Sequence, residues 1–158
     1  MTNVLLAIDG NFYGKVISDF VVNHHWAPNT QFKLIHVIDP SDDDVYTEAQ
    51  WEREEQTDSK ELLEQVAVRI HKVLPETNVS QFIRHGEPRE EILKEAAEWP
   101  AHLIVLGSHG RRSNANRTSL GSVSLSVLSE AQSTVILVRV PQKKIEALAA
   151  EAEKSSSH

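Results

Sequence analysis

Five short, largely apolar runs punctuate this chain: Val4 to Ile8, Leu34 to Ile38, Val79 to Ile83, Leu103 to Leu106 and Thr134 to Val140. Between them lie segments whose apolar residues recur at helical spacing. The first is Val16, Ile17, Phe20 and Val21, and the second is Leu62, Leu63, Val66, Ile70, Val73 and Leu74. The third is Ile92, Leu93, Ala96 and Ala97, and the fourth spans Ser122 to Ala131. A β-α unit repeated four times and closed by a strand admits few folds. Runs that are apolar without alternation suit strands buried on both sides, and alternation of strand with helix implies a parallel sheet covered on both faces. The expected class is α/β, a single-domain open twisted five-stranded parallel sheet of Rossmann-like type. At 158 residues the chain suits one domain with its own core. Residues 1–141 are expected to form it, and residues 142–158, rich in helix formers and then serine, to form a helical or disordered tail. The carboxylate-rich stretch from Ser41 to Asp58 is expected to be a loop leading into a helix that starts near Ser59 and stops at Pro75. Pro88 stands where a first-turn proline belongs in the third helix.

The stretch from Leu103 to Val140 carries the chemistry. The strand stops at Gly107, a Gly107-Ser-His-Gly110 turn follows, and Gly121-Ser122 opens the next helix after a loop holding Arg111, Arg112 and Arg117. Glycine lets the backbone approach an anion closely, and the unpaired N–H groups at a helix start attract negative charge. This pattern points to a phosphate, and hence to a nucleotide. Asp9-Gly10 also follows a strand, so it reaches the same edge of the sheet, where ligands of such folds bind. The segment Gly10-Asn-Phe-Tyr-Gly14-Lys15-Val16 imitates a P-loop but has one residue too few, and Val16 offers no hydroxyl for magnesium. Lys15 reads instead as an exposed helix residue.

Composition narrows the function further. There is no cysteine, which excludes disulfides and thiol chemistry, and the net charge of −7 disfavours non-specific nucleic-acid binding. Five consecutive apolar residues before Asp9, with no basic segment ahead of them, are too few for a signal peptide or membrane span. A soluble cytoplasmic protein is expected. Eight histidines are present, but none forms a pair spaced to hold metal on one helix face. Magnesium or manganese would arrive on nucleotide phosphates, since such ions use few protein ligands. The helix glutamates read as solvated, and no paired-carboxylate or nucleophilic site is evident, so no catalytic residue is assigned.

Taken in order, VLLAIDG, HVID, HGEPREEILKEAAEWPAHLIVLGSHG and LGSVSLSVLSEAQSTVILVRV resemble the universal stress protein family, up to about Arg139. The resemblance implies the fold of the adenine nucleotide alpha hydrolases and a bound adenine nucleotide, ATP or else AMP or ADP. It places Asp9 on the adenosine, Val37 beside adenine, Gly107 and Gly110 along ribose and phosphates, and Gly121, Ser122 and Ser124 on the phosphates. It also implies a homodimer through Val135 to Val140. Ten residues separate Gly110 from Gly121, one more than the family pattern holds, and His102 stands where aspartate is common. The change at His102 is expected to act at the start of the strand rather than at the site.

The function expected is that of a nucleotide-binding stress-response regulator. ATP would order the Ser41 to Asp58 and Arg111 to Leu120 loops and alter a dimer or partner surface, with binding rather than turnover as the output. Two other outputs remain beside it. One is slow ATP hydrolysis or nucleotidyl transfer using His109 or Asp9, and the other is a nucleotide-free dimeric scaffold.

Overall fold

The structure is a computed structural model that describes residues 1–39, 48–108 and 121–139, together with Ala150 and Lys154. Among the described residues up to Arg139, five strands and four helices alternate: β1 (Thr2–Ala7), α1 (Asn11–Val22), β2 (Thr30–Ile38), α2 (Glu48–Val73), β3 (Asn78–His85), α3 (Pro88–Glu98), β4 (Leu103–Gly107), α4 (Ser122–Glu130) and β5 (Thr134–Val138). The strands form one sheet in the order β3-β2-β1-β4-β5, and every pairing is parallel. The α/β fold expected from the sequence is therefore present. Among the described residues no helix is long and apolar enough to cross a membrane.

Successive side chains of a strand point to opposite faces, so each unbroken apolar run supplies two cores. On one face, Val4, Leu6 and Ile8 meet Phe32, Leu34 and Val105 beneath Ile17 and Val21 of α1 and Leu63, Val66 and Ile70 of α2. On the other, Leu5, Ala7, Ile35, Ile104 and Leu106 meet Ile92 and Ala96 of α3 and Val127 of α4. Each fully buried Leu or Ile contributes about 1.5–3 kcal/mol. Gly14 lets α1 and α2 lie close together, since a Cβ there would stand 3.1 Å from the Leu62 side chain. Trp26 closes the end of α1 by donating its indole N–H to the Val21 carbonyl at 2.8 Å and setting its ring edge-on to Phe32.

Several boundaries differ from the sequence reading. Residues 48–58, expected in a loop, are the first turns of α2. Their run of Glu, Gln and Ala has high helix propensity but few apolar residues to mark a period. Residues 40–47 and the expected loop from Arg111 to Leu120 lie outside the described residues. β1 starts at Thr2 and ends at Ala7, β2 starts at Thr30, and β3 reaches from Asn78 to His85. The last strand stops at Val138. His102 acts at the start of β4, as expected. Its Nδ1 accepts the Asn3 N–H at 2.9 Å and its own N–H donates to the Asn3 carbonyl.

One helix glutamate is not solvated. Glu95 of α3 is 3% exposed and faces Lys33 of β2, itself 8% exposed, at 2.6 Å. Arg84 of β3 pairs with its second oxygen, and the Lys33 ammonium also lies over the rings of Phe82 and Trp99. Burial opposes ionisation of Glu95, but the hydrogen bonds from Lys33 and Arg84, and then their charges, outweigh it and hold the carboxyl below its ordinary value of 4.5. The group therefore ties α3 to two strands as a carboxylate. Glu95→Gln, which leaves the Lys33 ammonium facing a neutral amide, should lower unfolding free energy by about 3 kcal/mol at neutral pH. Because the folded value is depressed, this contribution is complete above the unfolded value and is lost as pH falls through the folded one. Urea unfolding at pH 7 and at decreasing pH below 4.5 should show the gap between wild type and variant closing with acid.

Candidate functional site

The strand order makes the site. From β1 the chain crosses through α1 to β2 on one side, whereas β4 joins β1 on the other side and is followed by α4 over the opposite face. The connections leaving β1 and β4 diverge, and a crevice opens beyond the carboxyl ends of these strands. A cleft occupies this place. Ala7, Ile35, Leu106, Ile92 and Val123 give it an apolar slot continuous with the second core, and Asp9, Tyr13, Val37, Gly107 and Ser124 line the remainder. Pro88 and Ile92 come from α3, Val123 and Ser124 from α4, so the slot lies between these two helices above the sheet.

Of the residues singled out in the sequence, Asp9, Val37, Gly107 and Ser124 are brought together in this cleft. Gly121 caps α4 and Ser122 is its first residue, one step from the lining. Gly110 falls outside the described residues, as do His109, Arg111, Arg112 and Arg117. Ser124 is 3% exposed and donates its hydroxyl hydrogen to the Gly107 carbonyl at 2.7 Å. It therefore ties the first turn of α4 to the end of β4. Ser108 continues the same bracing, with its N–H on the Val138 carbonyl and its carbonyl taking the Gly121 N–H. Lys15, in the P-loop-like segment, lies on α1 and is exposed.

Two helix starts near the cleft differ in charge. α3 is capped by the Glu87 side chain, which accepts the Glu90 N–H at 3.0 Å, and holds Glu90 and Glu91 in its first turn. Its positive end is already neutralised. Among the described residues α4 has no side-chain cap and no acidic residue in its first turn, so its N–H groups and dipole can receive an anion. The main chain contributes at the other end. Ile35 is the last β2 residue in register with β1, and in a parallel ladder alternate residues turn their N–H and C=O to the same side. Val37 consequently turns its peptide groups toward the side that β1 has left.

Tyr13 was not singled out from the sequence. It is 5% exposed, its hydroxyl is 3.4 Å from Ser108 Oγ, and its ring presses on the main chain of Gly107. Nothing local signals this, because the contact joins α1 to β4. Among the described residues no group of three or more His, Asp or Glu is placed to hold a metal ion.

A model of the universal stress protein family matches residues 1–139. The chain belongs to that family. Among curated universal stress proteins, A homolog 2 of Coxiella burnetii is 35% identical over 82 residues, covering 50% of this chain and 55% of the relative. An A family protein of Schizosaccharomyces pombe is 26% identical over 149 residues, covering 89% of this chain and 46% of the relative. The chain thus spans about half the length of these two relatives. Two solved universal stress protein structures share the fold. That from Archaeoglobus fulgidus in complex with dAMP has a TM-score of 0.62 at 21% identity, covering 87% of this chain and 98% of that one. A family protein from Arabidopsis thaliana with AMP bound has a TM-score of 0.65 at 16% identity, covering 91% and 95%.

The fit between Gly107 and Tyr13 is directly testable. A Cβ at Gly107 would stand 2.3 Å from the Tyr13 ring, closer than any relaxed contact. Gly107→Ala should cost about 1–3 kcal/mol through overpacking. Combined with Tyr13→Ala it should cost less than the sum of the two single changes, a coupling that a double-mutant cycle in urea would measure.

Proposed function

We propose that this universal stress protein binds an adenine nucleotide, AMP or ATP, in the cleft between α3 and α4, and that occupancy rather than turnover is its output. The observation that carries the reading is the polarity of the cleft. It has an apolar slot bordered by the peptide of Val37 at one end and the uncapped start of α4 at the other, with Asp9 on its lining. A flat, weakly polar base fits the slot between Ile35, Ile92 and Val123, and the Val37 N–H and C=O supply hydrogen bonds along its edge. The Asp9 carboxylate accepts from ribose hydroxyls. Gly107 lies along the sugar, and the α4 N-terminus at Gly121 and Ser122 receives phosphates. Ser124 serves this arrangement by fixing the Gly107 carbonyl. The charge contrast between helix starts sets the direction, since carboxylates at α3 repel phosphate and α4 attracts it. The AMP-bound and dAMP-bound relatives support the ligand class. Magnesium or manganese would enter with a triphosphate, held chiefly by its oxygens.

A regulatory output also needs a surface that reads occupancy. β5 is an apolar edge strand, TVILV, without a charge or proline to deter pairing. We take it as the homodimer contact, joined to the cleft through the Ser108 to Val138 hydrogen bond.

Titration calorimetry with AMP and ATP tests the reading. Wild type should bind both, and Asp9→Ala should weaken AMP binding about tenfold, the loss expected for hydrogen bonds to a charged group, with the circular dichroism spectrum unchanged. No heat and no thermal shift at millimolar nucleotide would reject it.

A further inference from the structure

We propose that His36 is a positioning residue for the nucleotide cleft: it keeps β1 and β2 parted at the mouth and so sets where Asp9 and the Val37 peptide stand. The inference rests on the adenine-nucleotide reading above for its function, and on the strand ladder for its geometry. β1 and β2 stay in register from Thr2 and Thr30 to Ala7 and Ile35, and one more bond runs from the Ile8 N–H to the Ile35 carbonyl at 2.9 Å. Regular pairing continued by one step would bring the Val37 N–H to the Ile8 carbonyl. That carbonyl instead meets Nδ1 of His36 at 2.6 Å. A carbonyl only accepts, so Nδ1 carries the proton.

The ring is well placed for this substitution. His36 is 5% exposed and lies on the face of β2 that Phe32 and Leu34 present to α1 and α2, whereas Val37 turns its side chain into the cleft on the other face. A side-chain donor spans a wider gap than a peptide N–H does. With it, the chain after Ile8 moves off β2 without leaving a buried carbonyl unpaired. The consequences reach both polar ends of the adenosine site. The Val37 peptide is turned to the cleft rather than consumed by the ladder, and the Ile8 peptide is anchored one residue before Asp9.

Three substitutions separate the donor from the bulk of the ring. His36→Asn sets an amide N–H near the Nδ1 place, His36→Leu keeps volume without a donor, and His36→Gln carries its amide to the Nε2 place and serves if the leucine variant does not fold. Without nucleotide, long-range proton–nitrogen spectra of the whole chain should show the His36 proton on Nδ1. The Asp9 and Val37 amide signals should move in the leucine or glutamine variant and stay near wild type in the asparagine variant. In calorimetry with AMP, the asparagine variant should bind within about threefold of wild type and the donorless variant about tenfold more weakly. A proton on Nε2 alone, wild-type affinity in the donorless variant, or equal loss in both folded variants would overturn the proposal. Should wild type bind no AMP, the nucleotide reading fails by itself. The nucleotide-free spectra then decide the role of His36: the stated pattern supports it and its absence overturns it.

Discussion

β1 is paired on both edges and buried on both faces, and every other part of the structure takes its place from that strand. Its neighbours β2 and β4 are reached by connections on opposite faces of the sheet, so the chain must open where β1 ends. The opening is a consequence of burying a six-residue strand, apolar from Val4 to Ala7, in the middle of a parallel sheet. It puts Asp9 and Ile8 beside Gly107 although they are far apart in sequence.

Two kinds of fastening keep the opening from collapsing. Hydrogen bonds brace it from below, with Ser124 on the Gly107 carbonyl and Ser108 linked to Val138 and Gly121. Packing and charge hold its walls, with the Tyr13 ring against Gly107 and Glu95 tying α3 to Lys33 and Arg84. α3 brings Pro88 and Ile92 to the cleft, so the ion-paired cluster behind it fixes one wall of the slot. An apolar slot alone would accept many flat molecules. In the proposed reading, the α4 start, uncapped among the described residues, beside the self-neutralised α3 start favours one with a phosphate at a single end.

Much of this was legible in the sequence because strands buried on both faces carry apolar runs, Val4 to Ile8 at β1 and Leu103 to Leu106 in β4, although β2 holds Lys33 and His36 among its apolar residues. β3 was harder to delimit, since an edge strand with mostly exposed side chains mixes Ser80, Gln81 and Arg84 among its apolar residues. The amino-terminal turns of α2 escaped because propensity without an apolar stripe leaves no period. Asp9, Val37, Gly107 and Ser124, which line the cleft, were singled out from a strand-turn-helix pattern and a family resemblance. Tyr13 and Glu95 did not follow, since each owes its role to a partner on a distant element. Glu95 reads as an ordinary solvated helix glutamate until Lys33 is found across from it. His36 counted only as one more histidine without a metal-binding partner, and its bond to Ile8 becomes visible only with the register of β1 on β2.

The central claim is that an adenine nucleotide occupies the carboxyl edge of this sheet, with base toward Val37 and phosphate toward α4. Backbone amide shifts of the isotope-labelled chain during titration with AMP test it most directly. The account predicts saturable shifts at Asp9, Val37, Gly107 and Gly121 to Ser124, with Thr2, Thr30 and Leu103 at the amino edge unmoved. Shifts confined to the amino edge or to β3, or none at millimolar AMP, would contradict it.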